Sequence, residues 1–558
     1  MDKNSKIKEM TLKYAIKNAY EHGGKADVGA VIGKMKALFP DMDIPKMMPQ
    51  ISGSVKEANE MKKEELEKKF EEFEEEGWEL KHVEKEKTLP ELEWIGKEKL
   101  VTRVAPNPSG AMHFGHARPA ILTDEYVKKY GGKYILRFDD TDPKIKVPVA
   151  GIEKEFLEEF KWLGIKIDET ANASDNLEEY YSVVEDLIKK GKAYICFCES
   201  EKWRELTEKS KECPCRKKSN AEQMKEWKKM LKHEIKEGEA VVRIKTDLKN
   251  KDPSVRDWWL AKVVDVVEHP NKEAAKMHVW PSYNLASSVD DHRMKINFII
   301  RGQEHAQNET KQRYLYNYMK WEYPHTLYHG KLAKVGDMIL SKSKIKVLMD
   351  AGGLTSDDDP RLATMKALRR RGFQPEAIRK IIVEMGVNPS EAKVSMENFA
   401  AANKAVLGDV AEFPFFEEAV EVEIYNVGKG EGECYGEKTG FDGQIEKFLV
   451  DKKELKKHKA GEIIRFKKAF NVKLDEVSEY GGKATFVSYS KTETNFPIVS
   501  WLANQVDVEL LMSDGTKKMG FTAPSILEAN GVIHFEGVGY ANIEAKSQGM
   551  IRCVFSYE

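Results

Sequence analysis

Lys99 to Tyr130 reads KLVTRVAPNPSGAMHFGHARPAILTDEYVKKY. "LVTRVA" has the apolar character of a buried strand, a turn of proline and small residues follows, and "ARPAILTDEYVKKY" carries helical periodicity. Where a strand ends and a helix begins, unpaired N–H groups and the positive end of the helix dipole favour a phosphate. His113 and His116 bracket Gly115 at that point. Gly115 admits a flat base or a phosphate where a Cβ would intrude, and the imidazoles can donate to phosphoryl oxygens as charge builds.

Working outward, "KYILRFDDT" reads as a second strand, a helix starts near Val149, and strand character returns at "INFIIRG". That rhythm is α/β, with a parallel nucleotide-binding sheet. Residues of about 193–280 interrupt it as a lysine-rich insertion. Upstream, residues 1–94 form a helical N-terminal extension, broken at Gly23-Gly24, stopped at Pro40, and continued by one Lys/Glu-rich helix over 55–77. The interrupted sheet divides into 95–192 and 281–350, and 351–410 is a helical connecting region. From 411 to 558 the texture changes to short alternating runs between Gly-rich turns, which reads as antiparallel β-barrels.

The totals bound the function. A chain of 558 residues has room for three to five domains. With 91 basic against 93 acidic side chains, any surface for nucleic acid must be local. No run of about 18 apolar residues offers a membrane span, and the start lacks an apolar signal region. Six cysteines, four of them between Cys196 and Cys215, point to metal chemistry in a reducing cytoplasm.

A second motif lies at "MILSKSKI", Met338 to Ile345. Lysines flanked by hydroxyls on a mobile stretch can close over a triphosphate and neutralise departing pyrophosphate. His113-Phe114-Gly115-His116 and Ile339-Leu340-Ser341-Lys342-Ser343 together resemble the HIGH and KMSKS signatures of class I aminoacyl-tRNA synthetases. Phe114 replaces the usual isoleucine, and Ile339 stands where the first lysine usually does, which puts the weight on Lys342. "RVAPNPSG", "LRFDDTDP", "WPSYNLASSVDDHRMKINFIIRGQEH" and "DDPRLATMKALRRRGFQPEAI" look like the glutamyl/glutaminyl subgroup, in its archaeal-type glutamyl-tRNA synthetases.

That resemblance implies a Rossmann-like catalytic domain, an inserted acceptor-stem-binding domain and an anticodon-binding barrel region. It implies attack of an amino acid carboxylate on ATP, accompanied by Mg²⁺. His113, His116 and Lys342 would be catalytic, and Gly115, Ser341 and Ser343 would join them in holding ATP. Glutamate needs two cationic clamps and one anionic one. Arg103 and Arg301 can supply the cations, Asp139 can take the ammonium, and Tyr283 can line the side-chain site; either arginine can meet either carboxylate. Glutaminyl relatives generally carry a smaller uncharged residue at the place of Arg301, so an arginine there favours glutamate.

Cys196, Cys198, Cys213 and Cys215 can close tetrahedrally around a structural Zn²⁺, or remain four unmetallated thiols. Lysine and arginine interleaved with Trp227, Trp258 and Trp259 suit a phosphate track with stacking faces, and "KKELKKHK" from Lys452 is a further phosphate contact. The expected product is a cytoplasmic, monomeric enzyme that joins glutamate to tRNA(Glu), with tRNA(Gln) left open as a second acceptor. The competing readings are a glutaminyl enzyme, a non-catalytic RNA-binding paralogue, and a ligase that adenylates without tRNA.

Overall fold

Strand Leu100–Val104 is almost wholly buried, as is Phe298–Gly302, and continuous burial of this kind marks strands covered on both faces. In the computed structural model they are neighbours in a five-stranded sheet ordered Glu169–Asn172, Gly132–Phe138, Leu100–Val104, Phe298–Gly302, His325–His329. Every pairing in it is parallel. The order reverses between Leu100–Val104 and Phe298–Gly302, which makes their carboxyl ends the topological switch point where open α/β sheets bind ligands. Helix Phe114–Tyr130 connects the first two strands and buries Phe114, Ile121 and Tyr126 in the core shared with Leu136 and Ile300. It ends at Gly131 and Gly132, both at positive φ, where a Cβ on Gly132 would stand 2.1 Å from the Leu100 carbonyl oxygen.

The structure describes residues 3–21, 24–39, 43–75, 89–96, 98–340, 342–354, 356–441, 443–489, 496–547 and 549–558. Two compact units divide at Lys87 and Thr88. The first contains helices Lys3–Glu21, Val28–Leu38, Ile44–Glu60 and Lys63–Glu75 around Ile16, Met35, Ile51 and Leu66. Asp27 and Asp43 cap two of them. The single helix expected over 55–77 is instead the end of one helix and the whole of the next. Met61 adopts an extended conformation between them, which lets Val55 and Leu66 both reach one core.

Within the second unit, the insertion builds its own antiparallel sheet from Ala193–Cys196, Val241–Ile244, Trp259–Val263 and Val279–Pro281. Helices Met365–Arg370, Pro375–Met385 and Met396–Leu407 follow the lysine segment. A short strand among them, Ala392–Val394, pairs parallel with Leu332–Val335. The C-terminal part is two curled, barrel-like sheets of seven and six strands. Most of their pairings are antiparallel, but among the described residues four are parallel: 412–413 with 534–535, 421–425 with 481–485, 465–466 with 498–499, and 507–511 with 550–554. Alternation in the sequence marks which residues face inward, and it carries no record of which neighbour each strand takes. Among the described residues no helix is long and apolar enough to cross a membrane.

Candidate active site

A cleft of about 980 Å³ opens at the switch point. Its walls include Arg103, Gly115, His116, Asp139, Tyr283 and Arg301, so the proposed glutamate residues and part of the histidine motif share one cavity. Beyond them the wall belongs to the insertion, with Trp203, Arg243, Arg256 and Trp259.

The histidine turn is ordered by its own side chains. His113 is the extended N-cap of helix Phe114–Tyr130, and its Nδ1 accepts the Gly115 N–H at 3.1 Å. His116 Nδ1 accepts the His113 N–H at 3.3 Å, and the two rings stack at 3.8 Å. With both Nδ1 atoms accepting, the proton of each neutral ring belongs on Nε2. A Cβ at position 115 would lie 2.9 Å from the His113 ring, so glycine is required for the stack itself.

A segment that sequence reading did not single out holds this turn from outside. The Phe114 N–H donates to the Ala363 carbonyl at 2.9 Å, and the Met365 N–H donates to the Met112 carbonyl at 2.9 Å. The same segment also pairs with Ile339. Its N–H donates to the Arg361 carbonyl at 2.9 Å, and its carbonyl accepts from the Ala363 N–H at 3.0 Å. Residues 361–365 therefore zip the histidine turn to the chain just before the lysines. Ser341 lies outside the described residues, and from Lys342 the backbone is helical to Asp350, where a mobile loop was expected. Lysine, leucine and methionine in KSKIKVLMD favour helix, and Gly352-Gly353 lie just beyond it. Nothing in the sequence marks "RLATM" as such a strut except its place among the family-like stretches.

The two arginines differ in how their charge is met. Arg103 is buried, with Nε and Nη2 each 2.8 Å from the two oxygens of Asp291 and Nη2 also donating to Ser287 at 3.3 Å. Burial works against its charge, and Asp291 more than offsets that, leaving its pKa raised. Next to it Arg137 donates to Asp290 at 2.7 Å and to Asp139 at 3.3 Å. Arg301 has neutral company instead: Gln312 at 3.1 Å, and the hydroxyls of Tyr323 at 2.7 Å and Tyr328 at 3.2 Å. Glu309 stands 3.8 Å away and is shared with Arg313 at 2.7 Å. Arg301 Nε is buried with no hydrogen-bond partner among the described residues. Asp139 is pinned through its backbone, its N–H donating to the Pro106 carbonyl and its carbonyl accepting from Asn107, each at 2.9 Å. Tyr283 leans on His305, with ring centres 5.4 Å apart. Asp290, Asp291, Gln312 and Tyr323 were missed by sequence reading; the adjacent acids in "SVDDHR" were the available signal.

Residues 99–409 match the model of the tRNA synthetases class I (E and Q), catalytic domain. The glutamate–tRNA ligase of Thermococcus onnurineus is 42% identical over 99% of this chain and 100% of its own length. That of Thermococcus kodakarensis is 41% identical and that of Sulfurisphaera tokodaii 38%, each over 99% of this chain and 100% of the relative. The chain belongs to the glutamate and glutamine family of class I tRNA synthetases. Membership brings with it the use of ATP.

The synthetase's cysteine cluster is compact. The four sulfurs of Cys196, Cys198, Cys213 and Cys215 lie within 4.8 Å of one another. Cys196 and Cys213 are 3.9 Å apart, as are Cys198 and Cys215. A tetrahedron of Zn–S bonds near 2.3 Å has S···S edges of about 3.8 Å, so the donors fit a zinc ion. The Phe197 N–H points to the Cys215 sulfur at 3.4 Å, the usual outer support of a thiolate site. Two of the tryptophans expected as stacking faces, Trp227 and Trp258, are instead buried in the insertion's core, while Trp259 stays exposed with Lys262 over its ring. In the "KKELKKHK" run Lys452, Lys453 and Lys457 pair with Glu418, Glu417 and Glu454.

Burial lowers the pKa of His305 and His329, both in the cleft wall, below the ordinary 6.5. An unfolded chain takes up these protons as pH falls below about 6.5 and the folded chain resists, so this stabilisation is present above 6.5 and lost on acidification. Replacing His329 with Asn should make the unfolding free energy fall less steeply between pH 7 and 5.5, by up to about 1.4 kcal/mol per pH unit. Denaturant titrations at several pH values measure this, and parallel slopes for both proteins would remove His329 from the account.

Proposed function

We propose that the chain is a glutamate–tRNA ligase that carries out both half-reactions in the cleft at the switch point. In the first, the α-carboxylate of glutamate attacks the α-phosphorus of ATP, forming glutamyl-adenylate and releasing pyrophosphate. In the second, a hydroxyl of the terminal tRNA ribose attacks the adenylate carbonyl, forming the ester and releasing AMP. One observation carries the reading: residues 361–365 are bonded at once to the turn of His113 and to Ile339, which ties the two ATP motifs together. Kinship over the full length with glutamate–tRNA ligases supports the substrate.

In this reading the Nε2–H groups of His113 and His116 donate to phosphate oxygens, and Gly115 lets the nucleotide approach the backbone. Lys342, flanked by Ser341 and Ser343, neutralises the leaving pyrophosphate, with Mg²⁺ accompanying the ATP. Asp139 takes the ammonium of glutamate and Tyr283 lines the side chain. Arg103 is held by Asp291 through Nε and Nη2, which leaves Nη1 for a carboxylate. Arg301, with mostly neutral neighbours, keeps more of its charge for one of the two carboxylates of glutamate; glutamine would leave that charge unmet. The insertion at 193–280 receives the acceptor stem, the sheets at 411–558 read the anticodon, and tRNA(Glu) is the acceptor. The four cysteines hold one structural zinc that pins the insertion's first strand to the 213–217 turn. The enzyme acts in the cytoplasm as a monomer.

Charging assays with glutamate and glutamine, side by side on purified tRNA, test the whole. Arg301→Ala should raise the KM for glutamate by about 10- to 100-fold while leaving that for ATP in place, as expected for losing a charge-assisted bond. Preference for glutamine in the unaltered enzyme, or an unmoved glutamate KM in the variant, would defeat the specificity argument.

Lys342→Ala should slow adenylate formation about 10²- to 10³-fold, the loss typical of one preorganised donor. Single-turnover rates near those of the parent would strip Lys342 of its role. Elemental analysis of purified protein should find one zinc per chain, lost together with cooperative unfolding of the insertion in Cys215→Ser. Four thiols that react freely in metal-free, fully folded protein would contradict the zinc site.

A further inference from the structure

Arg371 is one of the largest fully buried side chains in the molecule. Its hydrogen bonds go to carbonyl oxygens: Nε to Phe555 at 3.2 Å, Nη1 to Pro360 at 3.2 Å, and Nη2 to Ser556. The Ser556 hydroxyl donates back to the Arg371 carbonyl. Burial lowers its pKa to about 10, so it stays protonated at neutral pH. A buried cation satisfied by carbonyl dipoles is costly to leave half-bonded, so those carbonyls are held in place.

Two of the three carbonyls belong to strand Met550–Tyr557 of the six-stranded sheet, and the third belongs to the segment that leads into residues 361–365. Neighbouring bonds repeat the same connection. Asn542 donates to the Arg370 carbonyl at 2.9 Å, and Arg370 pairs with Glu544 at 2.5 Å. Gly372, at φ +84°, lies so close to the sheet that a Cβ would stand 2.4 Å from Val532. The stretch from 359 to 372 is thus stapled on one side to the C-terminal sheet, and on the other to both the histidine turn and Ile339.

We propose that Arg371 is a positioning residue for the phosphate chemistry. By fixing residues 359–371 against strand Met550–Tyr557, it sets the spacing between the turn of His113 and the chain that enters Lys342. The C-terminal sheet is then part of the adenylate-forming machinery as well as a surface for RNA. This rests on the ligase reading given above.

The test uses the full chain with Arg371→Met, and Asn542→Ala as a milder cut in the same connection. For Arg371→Met the kcat for glutamylation should fall about tenfold and the KM for ATP should rise severalfold, as for a small misplacement of catalytic groups. The KM values for glutamate and tRNA should stay within about twofold of the parent, because the Arg371 and Asn542 side chains are engaged in bonds within the protein rather than with either substrate. Asn542→Ala should show the same split at smaller amplitude, and it carries the test alone if Arg371→Met does not fold. Unchanged kcat and ATP KM in folded variants, or a tRNA KM that rises in step with any loss, would overturn the proposal. An unaltered enzyme that charges no glutamate onto tRNA would overturn the ligase reading itself, which is a separate outcome.

Discussion

The contact on which the site depends is a narrow one. Leu100–Val104 and Phe298–Gly302 meet in only two residue pairs, Thr102 with Phe298 and Arg103 with Ile299. Asn297 widens the seam: its side chain accepts the Val101 N–H at 2.9 Å and donates to the Lys99 carbonyl at 3.0 Å, and its N–H donates to the Val101 carbonyl at 2.9 Å. These partners are 196 residues or more apart in the chain, so the whole insertion must be looped out before they can pair. Closing a long loop costs only slowly more entropy with length, which is why a self-contained sheet can sit there without weakening the seam. Once the strands are side by side, Arg103 and Arg301 stand at adjacent strand ends and the cleft between them exists.

Electrostatics then decides what that cleft prefers. Two adjacent acids on helix Tyr283–Arg293, Asp290 and Asp291, meet two arginines from neighbouring strands, Arg137 and Arg103. Burying four charges is expensive, and each carboxylate has a further donor besides its arginine: Asp290 accepts from Tyr180 at 2.7 Å and Asn176 at 3.1 Å, and Asp291 from Ser287 at 3.4 Å. The pairs cancel, so the helix is locked to the sheet without adding net field. Arg301 lies outside this arrangement, and its field is the part available to an anionic substrate. A cleft that kept all three arginines unpaired would be hard to fold, and one that paired all three would have no preference for a second carboxylate.

The sheet and the strand-to-helix junction of the histidine motif were legible because they rest on local signals: apolar runs, a turn of proline and small residues, and glycine between two histidines. The Arg103–Asp291 pair was not, since its members are 188 residues apart and each reads alone as an ordinary charge. Trp227 and Trp258 looked like stacking faces because lysines surround them in sequence, yet packing turned both rings inward and left Trp259 outside. The lysine segment looked mobile from its composition, while its backbone is helical from Lys342. Strand direction in the C-terminal sheets was equally hidden, because alternation records faces and not neighbours.

The strut at 361–365 belongs to another class of hidden feature, a segment whose importance is entirely in its backbone. Its N–H and C=O groups serve both the histidine turn and Ile339, and side-chain identity contributes little to either set. What side chains do there is hold the strut from behind, through Arg371 and Asn542 against a sheet formed some 170 to 185 residues later. The spacing between the histidine turn and Ile339 is therefore a long-range property, assembled only when the six-stranded sheet has closed. Motif residues can be read one stretch at a time, whereas the distance between two motifs is set by whatever rigid body both are bonded to. In this fold that body extends through Arg371 into the C-terminal sheet.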